Sequence, residues 1–130
     1  MKTVYFDASA IAKLTVLEAG SLALIDLLAE PCRAVTSALS RAEVVRTVLR
    51  LGRSRDDADA ALTGFFLVAL DPNLLQQAGL LSPARMRTLD AIHLASALSI
   101  REPNLDFITY DHHLADAARA SGLHVVQPGL

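Results

Sequence analysis

The chain has 130 residues, 52% of them apolar and 20% charged, which describes one compact folded unit and excludes a disordered tail, a membrane protein or a multidomain enzyme. Twelve Lys and Arg against 14 Asp and Glu leave a net charge of −2, so the overall balance alone points to no nucleic-acid partner. Such a chain buries somewhat under about 70% of its unfolded surface, enough for a core without disulfides or a structural metal. The lone Cys32 agrees, having no partner for a disulfide, a CxxC or a zinc-ligand spacing, and it reads as a small core residue. The longest apolar run, Phe65 to Leu70, falls far short of the ~20 residues that span a bilayer. Asp7 interrupts the first apolar segment too early for a signal peptide. With a single thiol suited to a reducing compartment, the expectation is a cytoplasmic protein without membrane contact, one domain over residues 1–130.

In chain order, Val4-Tyr5-Phe6 is a short β-prone run, followed by Asp7 and by Ile11, Leu14 and Leu17 at helical spacing. A Gly20-Ser21 break opens a second helix to about Leu28, which Glu30-Pro31 ends. Arg33 to Thr36 is the next strand. Ser40-Arg41-Ala42-Glu43 fits a capping box, with Ser40 as N-cap and Glu43 at N3, on a helix that runs to Leu51 before Gly52. Ser54 caps a further helix with Asp56, Asp57 and Asp59 in its first turn. Phe65 to Leu70, closed by Asp71-Pro72, has the composition of a strand buried on both faces. Asn73 to Leu80 is a short helix, and Thr88 is preferred to Ser82 as the N-cap of the apolar helix Leu89 to Ile100. Phe107 to Tyr110 is a strand, Leu114 to Ala120 a helix ended by Gly122, and His124 to Val126 a last strand. This alternation predicts an α/β fold, with a central, mainly parallel sheet of four to five strands and helices on both faces.

In open α/β sheets, ligands bind beyond the carboxyl ends of the strands. Asp7, Glu43, Asp90 and Asp111 fall on that rim: Asp7 and Asp111 directly follow strands, and Glu43 and Asp90 lie in the first turns of helices. Each has an ordinary alternative role, Glu43 in a capping box, Asp90 complementing a helix dipole, Asp7 and Asp111 in turns. Gathered together they are costly, each close pair repelling by roughly 4 kcal/mol at an effective dielectric near 20. Only protonation or a cation relieves that. Oxygen-only donors favour Mg²⁺ or Mn²⁺, with substrate phosphate completing the shell. Phosphodiester hydrolysis follows: one ion lowers the pKa of a water and a second, about 3.5–4 Å away, stabilises the leaving oxygen.

The segments Val4 to Leu14, Ser40-Arg41-Ala42-Glu43-Val44, Leu89 to Ala95 and Thr109 to Leu114 together resemble the PIN domain, and within it the VapC-type toxins of bacterial toxin-antitoxin pairs. The resemblance runs in order from Val4 to about Gly129. It implies a metal-dependent endoribonuclease with Asp7 and Asp90 as the main Mg²⁺ ligands and Glu43 and Asp111 completing the acidic set. Ser9 and Thr109 match hydroxyl positions that hold the carboxylates or a water; caps and turns explain them as well. It further implies an RNA substrate, a VapB-type antitoxin that inserts a peptide into the site, a homodimeric toxin, and DNA only indirectly through the antitoxin complex.

Only two lysines, Lys2 and Lys13, stand against ten arginines, and Arg33 to Arg55 holds six Arg and one Glu. Arg46 and Arg50 lie three and seven residues after Glu43 on the same helix side, where they could meet RNA phosphates, a salt-bridge partner or an antitoxin. Arg85 and Arg87, just before Asp90, have the better claim as substrate ligands. His93 could orient Asp90 or simply pack in its helix, and His112 and His113 read as solvent-facing. An aspartyl-phosphate phosphatase would need a second acid where Ser9 stands, and a receiver domain would need a late lysine, whereas none follows Lys13. A PIN-like scaffold that binds RNA or protein without cutting is the remaining alternative.

Overall fold

The computed structural model describes residues 1–130. Twelve elements follow one another as β1 (Lys2–Phe6), α1 (Ala8–Ala12), α2 (Ser21–Ala29), β2 (Cys32–Ser37), α3 (Ser40–Arg50), α4 (Arg55–Leu62), β3 (Phe66–Val68), α5 (Pro72–Gly79), α6 (Thr88–Ser99), β4 (Asp106–Ile108), α7 (His112–Ala120) and β5 (His124–Val126). Every strand pair is parallel, and the sheet order is β3-β2-β1-β4-β5. The fold is the expected α/β class, with five strands and seven helices.

The chain leaves β1 toward β2 on one side and later returns through α5 and α6 to β4 on the other, so the crevice at the switch point lies between the carboxyl ends of β1 and β4. The register pairs Phe6 with Ile108, which places Asp7 and Thr109 side by side as the two strands end. Strand alternation then sorts the core. Val4 and Phe6 point to the face covered by α1, α3 and α4, with Ile11, Val44, Val48 and Leu62. Tyr5 points to the opposite face, packing with Phe107, Leu94 and Leu114 from β4, α6 and α7. Helix α6 is buried continuously from Ala91 to Ala97, as its nearly uninterrupted apolar composition requires.

Several local expectations are corrected. Phe65 to Leu70 is not a strand buried on both faces: only Phe66–Val68 is extended, at the sheet edge, and Phe66 is 66% exposed. Ser40 is not an N-cap. Leu39 takes that place, and Ser40, already helical, turns its hydroxyl inward to Thr36. Glu43 therefore closes no capping box. Arg87, in extended conformation with its carbonyl accepting from Ala91, is the N-cap of α6, and Thr88 is its first helical residue. Asp59 lies past the first turn of α4 and pairs with Arg41 and Arg55. The strand expected at Phe107 to Tyr110 ends at Ile108, beyond which the Thr109 hydroxyl turns to Asp7 while Tyr110 lies under Lys13 and donates to the Pro128 carbonyl. Helix α2, by contrast, ends as expected, at Ala29 with Glu30 extended ahead of Pro31, as steric restriction before proline demands.

Candidate active site

Asp7 is the most constrained of the acids. It is 5% exposed and N-caps α1, its Oδ1 accepting from the Ala10 N–H at 2.9 Å and the Ser9 hydroxyl at 2.7 Å. Oδ2 accepts from the Thr109 hydroxyl at 2.6 Å. Thr109 Oγ1 in turn accepts from the Asp111 N–H at 3.1 Å, so one hydroxyl links the residue after β1 to the loop after β4. Burial pushes the Asp7 carboxyl above its ordinary value, against the opposing pull of Thr109, the nearby His93, Ser9 and the Ala10 N–H.

Asp111 N-caps α7, its Oδ1 accepting from the Leu114 N–H at 2.8 Å, while Oδ2 meets Arg87 Nη2 at 2.9 Å. Partial burial raises its pKa, but the Leu114 N–H and the Arg87 guanidinium outweigh that and hold the carboxyl below the ordinary range. Asp90, in the first turn of α6, meets Arg87 Nε through Oδ2 at 3.0 Å. Asp90 and Asp111 thus share one guanidinium.

Glu43 faces inward from α3. Its Oε1 lies 2.6 Å from His93 Nε2, and His93 Nδ1 lies 2.8 Å from the Tyr5 hydroxyl. The start of α3 is fixed by its own hydroxyl chain: Thr36 donates to the Phe6 carbonyl at 2.7 Å, which leaves Ser40 to donate to Thr36, also at 2.7 Å. His93 orients Glu43 rather than Asp90.

The structure therefore brings the predicted acids to two linked centres, Asp7–Thr109–Asp111–Arg87–Asp90 on one side and Glu43–His93–Tyr5 on the other. No three of the His, Cys, Asp and Glu side chains converge in a metal-holding arrangement. The donor chemistry nevertheless fits a hard divalent cation: carboxylates only, two of them already sharing a positive charge, and no thiolate near. Cys32 lies away in β2, half-buried, its thiol pushed up by burial.

A cavity of about 520 Å³ opens beside Asp90 and Arg87, walled by Arg85, Met86 and His113. Arg85 makes no ion pair or side-chain hydrogen bond, and neither does Arg46 on the exposed side of α3; both cations face solvent. Arg33, Arg41 and Arg55 are committed to Glu102 and Asp59, so salt bridges account for half of the arginine-rich stretch. Lys13 is folded inward against Glu18, the Ala19 carbonyl and the Tyr110 ring. His112 and His113 are exposed, as expected.

Sequence reasoning missed Tyr5, Thr36 and the inward role of Ser40. The signal for Tyr5 was its place between Val4 and Phe6, which turns its side chain alone toward α6.

This architecture is that of a PIN domain, and the PIN family model matches residues 4–120. The chain is 43% identical to the ribonuclease VapC46 of Mycobacterium tuberculosis over 98% of its own length and 99% of the relative's, and 35% identical to the ribonuclease VapC47 of that organism over 97% of both. Among solved structures, it superposes on the sarcin-ricin-loop-cleaving toxin VapC20 of Mycobacterium tuberculosis with a TM-score of 0.75 at 20% identity, over 96% of this chain and 99% of that one. It also matches a chain of a toxin-antitoxin complex from Klebsiella pneumoniae with a TM-score of 0.72 at 23% identity, over 96% and 97% of the two chains. The chain belongs to the PIN-domain family and, within it, to the VapC ribonuclease toxins of toxin-antitoxin systems. No helix is long and apolar enough to cross a membrane.

Proposed function

We propose that this VapC ribonuclease cuts RNA by a Mg²⁺-dependent mechanism in which Asp7, Glu43, Asp90 and Asp111 hold one or two divalent ions, with Mn²⁺ as a substitute. The observation that carries the reading is the sharing of the Arg87 guanidinium by Asp90 and Asp111, which marks a point where two carboxylates already favour a cation. When bound, Mg²⁺ supplies charge neutralisation at the scissile phosphate and lowers the pKa of a water. The chain's own residues do the rest. Ser9 and Thr109 fix both oxygens of Asp7, so its carboxylate is oriented before any ligand arrives. Asp111 is held by the α7 N-terminus, and Glu43 by His93. Arg87, were a cation to take its place between Asp90 and Asp111, would be available to the substrate phosphate, and Arg85 and Arg46 would supply further phosphate contacts. The cavity beside Asp90 seats the adjoining nucleotide.

The partners follow from the same reading: an RNA substrate, a VapB-type antitoxin whose peptide occupies the acidic crevice, and a second copy of the toxin, with DNA reached only through the antitoxin complex. The whole chain, residues 1–130, acts as one domain in the cytoplasm. Induction of the chain alone should arrest growth, and Asp90→Asn or co-expression of the adjacent small gene should relieve it. Equal arrest by the parent and the Asp90→Asn chain would remove the acids from the mechanism.

A further inference from the structure

The innermost contact of the site has no counterpart among the acids' other bonds. His93 sits in the middle of α6, 2% exposed, with both ring nitrogens engaged: Nε2 with Glu43 Oε1 at 2.6 Å and Nδ1 with the Tyr5 hydroxyl at 2.8 Å. A carboxylate can only accept, so Nε2 carries a proton. Nδ1 meets the Tyr5 hydroxyl, which can donate to it or accept from it, so Tyr5 holds the ring from behind in either case. Burial drives the Tyr5 pKa far upward, so the hydroxyl keeps its proton at every working pH. Tyr5 is itself immobile. It is fully buried in the central strand, stacked on Phe107 with ring centroids 5.3 Å apart and 3° between the planes, and it meets the His93 ring edge-on at 6.0 Å.

From this we infer that His93 is a positioning residue: with Tyr5 holding its ring, it fixes Glu43 so that the second carboxylate oxygen faces the crevice. That oxygen makes no hydrogen bond to the protein, and the Glu43 side chain is 24% exposed, so the relay uses one oxygen and leaves the other free. The relay crosses from the α6 face of the sheet to the acid of α3, joining two elements that share no backbone pairing. A Glu on a helix has three side-chain torsions to fix, and tying one oxygen to a rigid core fixes them before a cation binds. The same two residues explain why a histidine stands in the wholly buried stretch Ala91 to Ala97: replaced by a leucine, it would leave Glu43 free to swing to solvent.

The inference rests on Glu43 being a cation ligand, as proposed above. The test measures Mn²⁺ affinity of the full chain by calorimetry for the parent, Glu43→Gln, Tyr5→Phe, His93→Leu and His93→Gln, with ¹⁵N-histidine NMR on the same samples. Tyr5→Phe removes one buried oxygen and keeps the ring, so it remains informative if His93→Leu fails to fold. The expected result is a parent spectrum showing Nε2 protonated, and Mn²⁺ affinity about tenfold weaker in His93→Leu, the lower end of what loss of such an orienting partner costs a metal site. Tyr5→Phe should weaken it in the same direction, and His93→Gln, which restores an N–H donor to Glu43, should recover part of the loss. Weakened binding in Glu43→Gln with unchanged binding in both Tyr5→Phe and His93→Leu would overturn the relay alone. Unchanged binding in Glu43→Gln would overturn the ligand role of Glu43 and the relay with it. A ring protonated at Nδ1 alone would leave Nε2 without a proton for Glu43 and would overturn the relay.

Discussion

Arg87 and Asp111, 24 residues apart in the chain, are joined Nη2 to Oδ2 at 2.9 Å, and the Nε of the same side chain meets Asp90 at 3.0 Å. The arginine stands where a cation would neutralise both acids, and its side chain is 70% exposed, free to leave. Its ion pairs in turn raise its own pKa, the hydrogen bond to Asp90 foremost.

If Asp90 and Asp111 hold a divalent ion as proposed, Arg87 competes with it for the same carboxylates. Arg87→Gln should tighten Mn²⁺ binding by roughly twofold to fivefold, the scale of an exposed ion pair, while lowering RNA affinity. Calorimetry with Mn²⁺ and filter binding with a non-cleaved RNA measure the two effects separately. Weaker Mn²⁺ binding in the variant would show that Arg87 orders the acids for the ion instead of competing with it.

Thr109 holds Asp7 with its proton and the Asp111 N–H with its oxygen, and it is fully buried. Thr109→Val should cost about 1–3 kcal/mol, the penalty for a buried polar group left without its partner, and lower the melting temperature by several degrees. Thr109→Ser should recover most of that. Equal melting temperatures for the Val and Ser variants would remove the hydroxyl from the account.

Asp7 gives a pH dependence with a definite sign. Its folded-state pKa lies above the ordinary 3.8, so between those two values the folded chain holds a proton the unfolded chain has lost. Stability present below the unfolded value is lost as pH rises through the folded one. In EDTA, Asp7→Asn should melt higher than the parent at pH 7, with the gap closing toward pH 4. Added Mn²⁺ should stabilise the parent and not the variant. A gap that widens on acidification would contradict the assigned shift.

Much of this was legible in the sequence because strands and caps have local signatures. Asp7 follows a β-prone triplet, Asp111 follows another, and both cap the helices they introduce. The α/β class and all four rim acids follow from such short-range patterns. What stayed hidden depends on contacts between distant segments. Ser40 has the composition of a cap, but Thr36 across the turn competes for its hydroxyl, and Glu43 is freed to meet His93, 50 residues away. Phe66 lies in an apolar run suited to a central strand, yet the sheet order leaves it at an edge, which no local pattern encodes. His93 reads as a packed helix residue, and it is packed, but its partner Tyr5 is 88 residues away.

Arg46 and Arg85, two cations without protein partners, should act through phosphates. Arg46→Ala and Arg85→Ala should each weaken RNA binding about uniformly across sequences and lower the slope of log affinity against log salt by about 0.7, the single-strand value per phosphate contact. Titration at several salt concentrations gives the slope. An unchanged slope in both would place RNA elsewhere on the surface.

The most direct test of a metal-dependent acidic site is cleavage of total RNA by the purified chain and by Asp7→Asn, each with Mg²⁺ and with excess EDTA. Fragments should form with the parent in Mg²⁺ and in none of the other three reactions. Cleavage that survives both EDTA and the substitution would contradict the account.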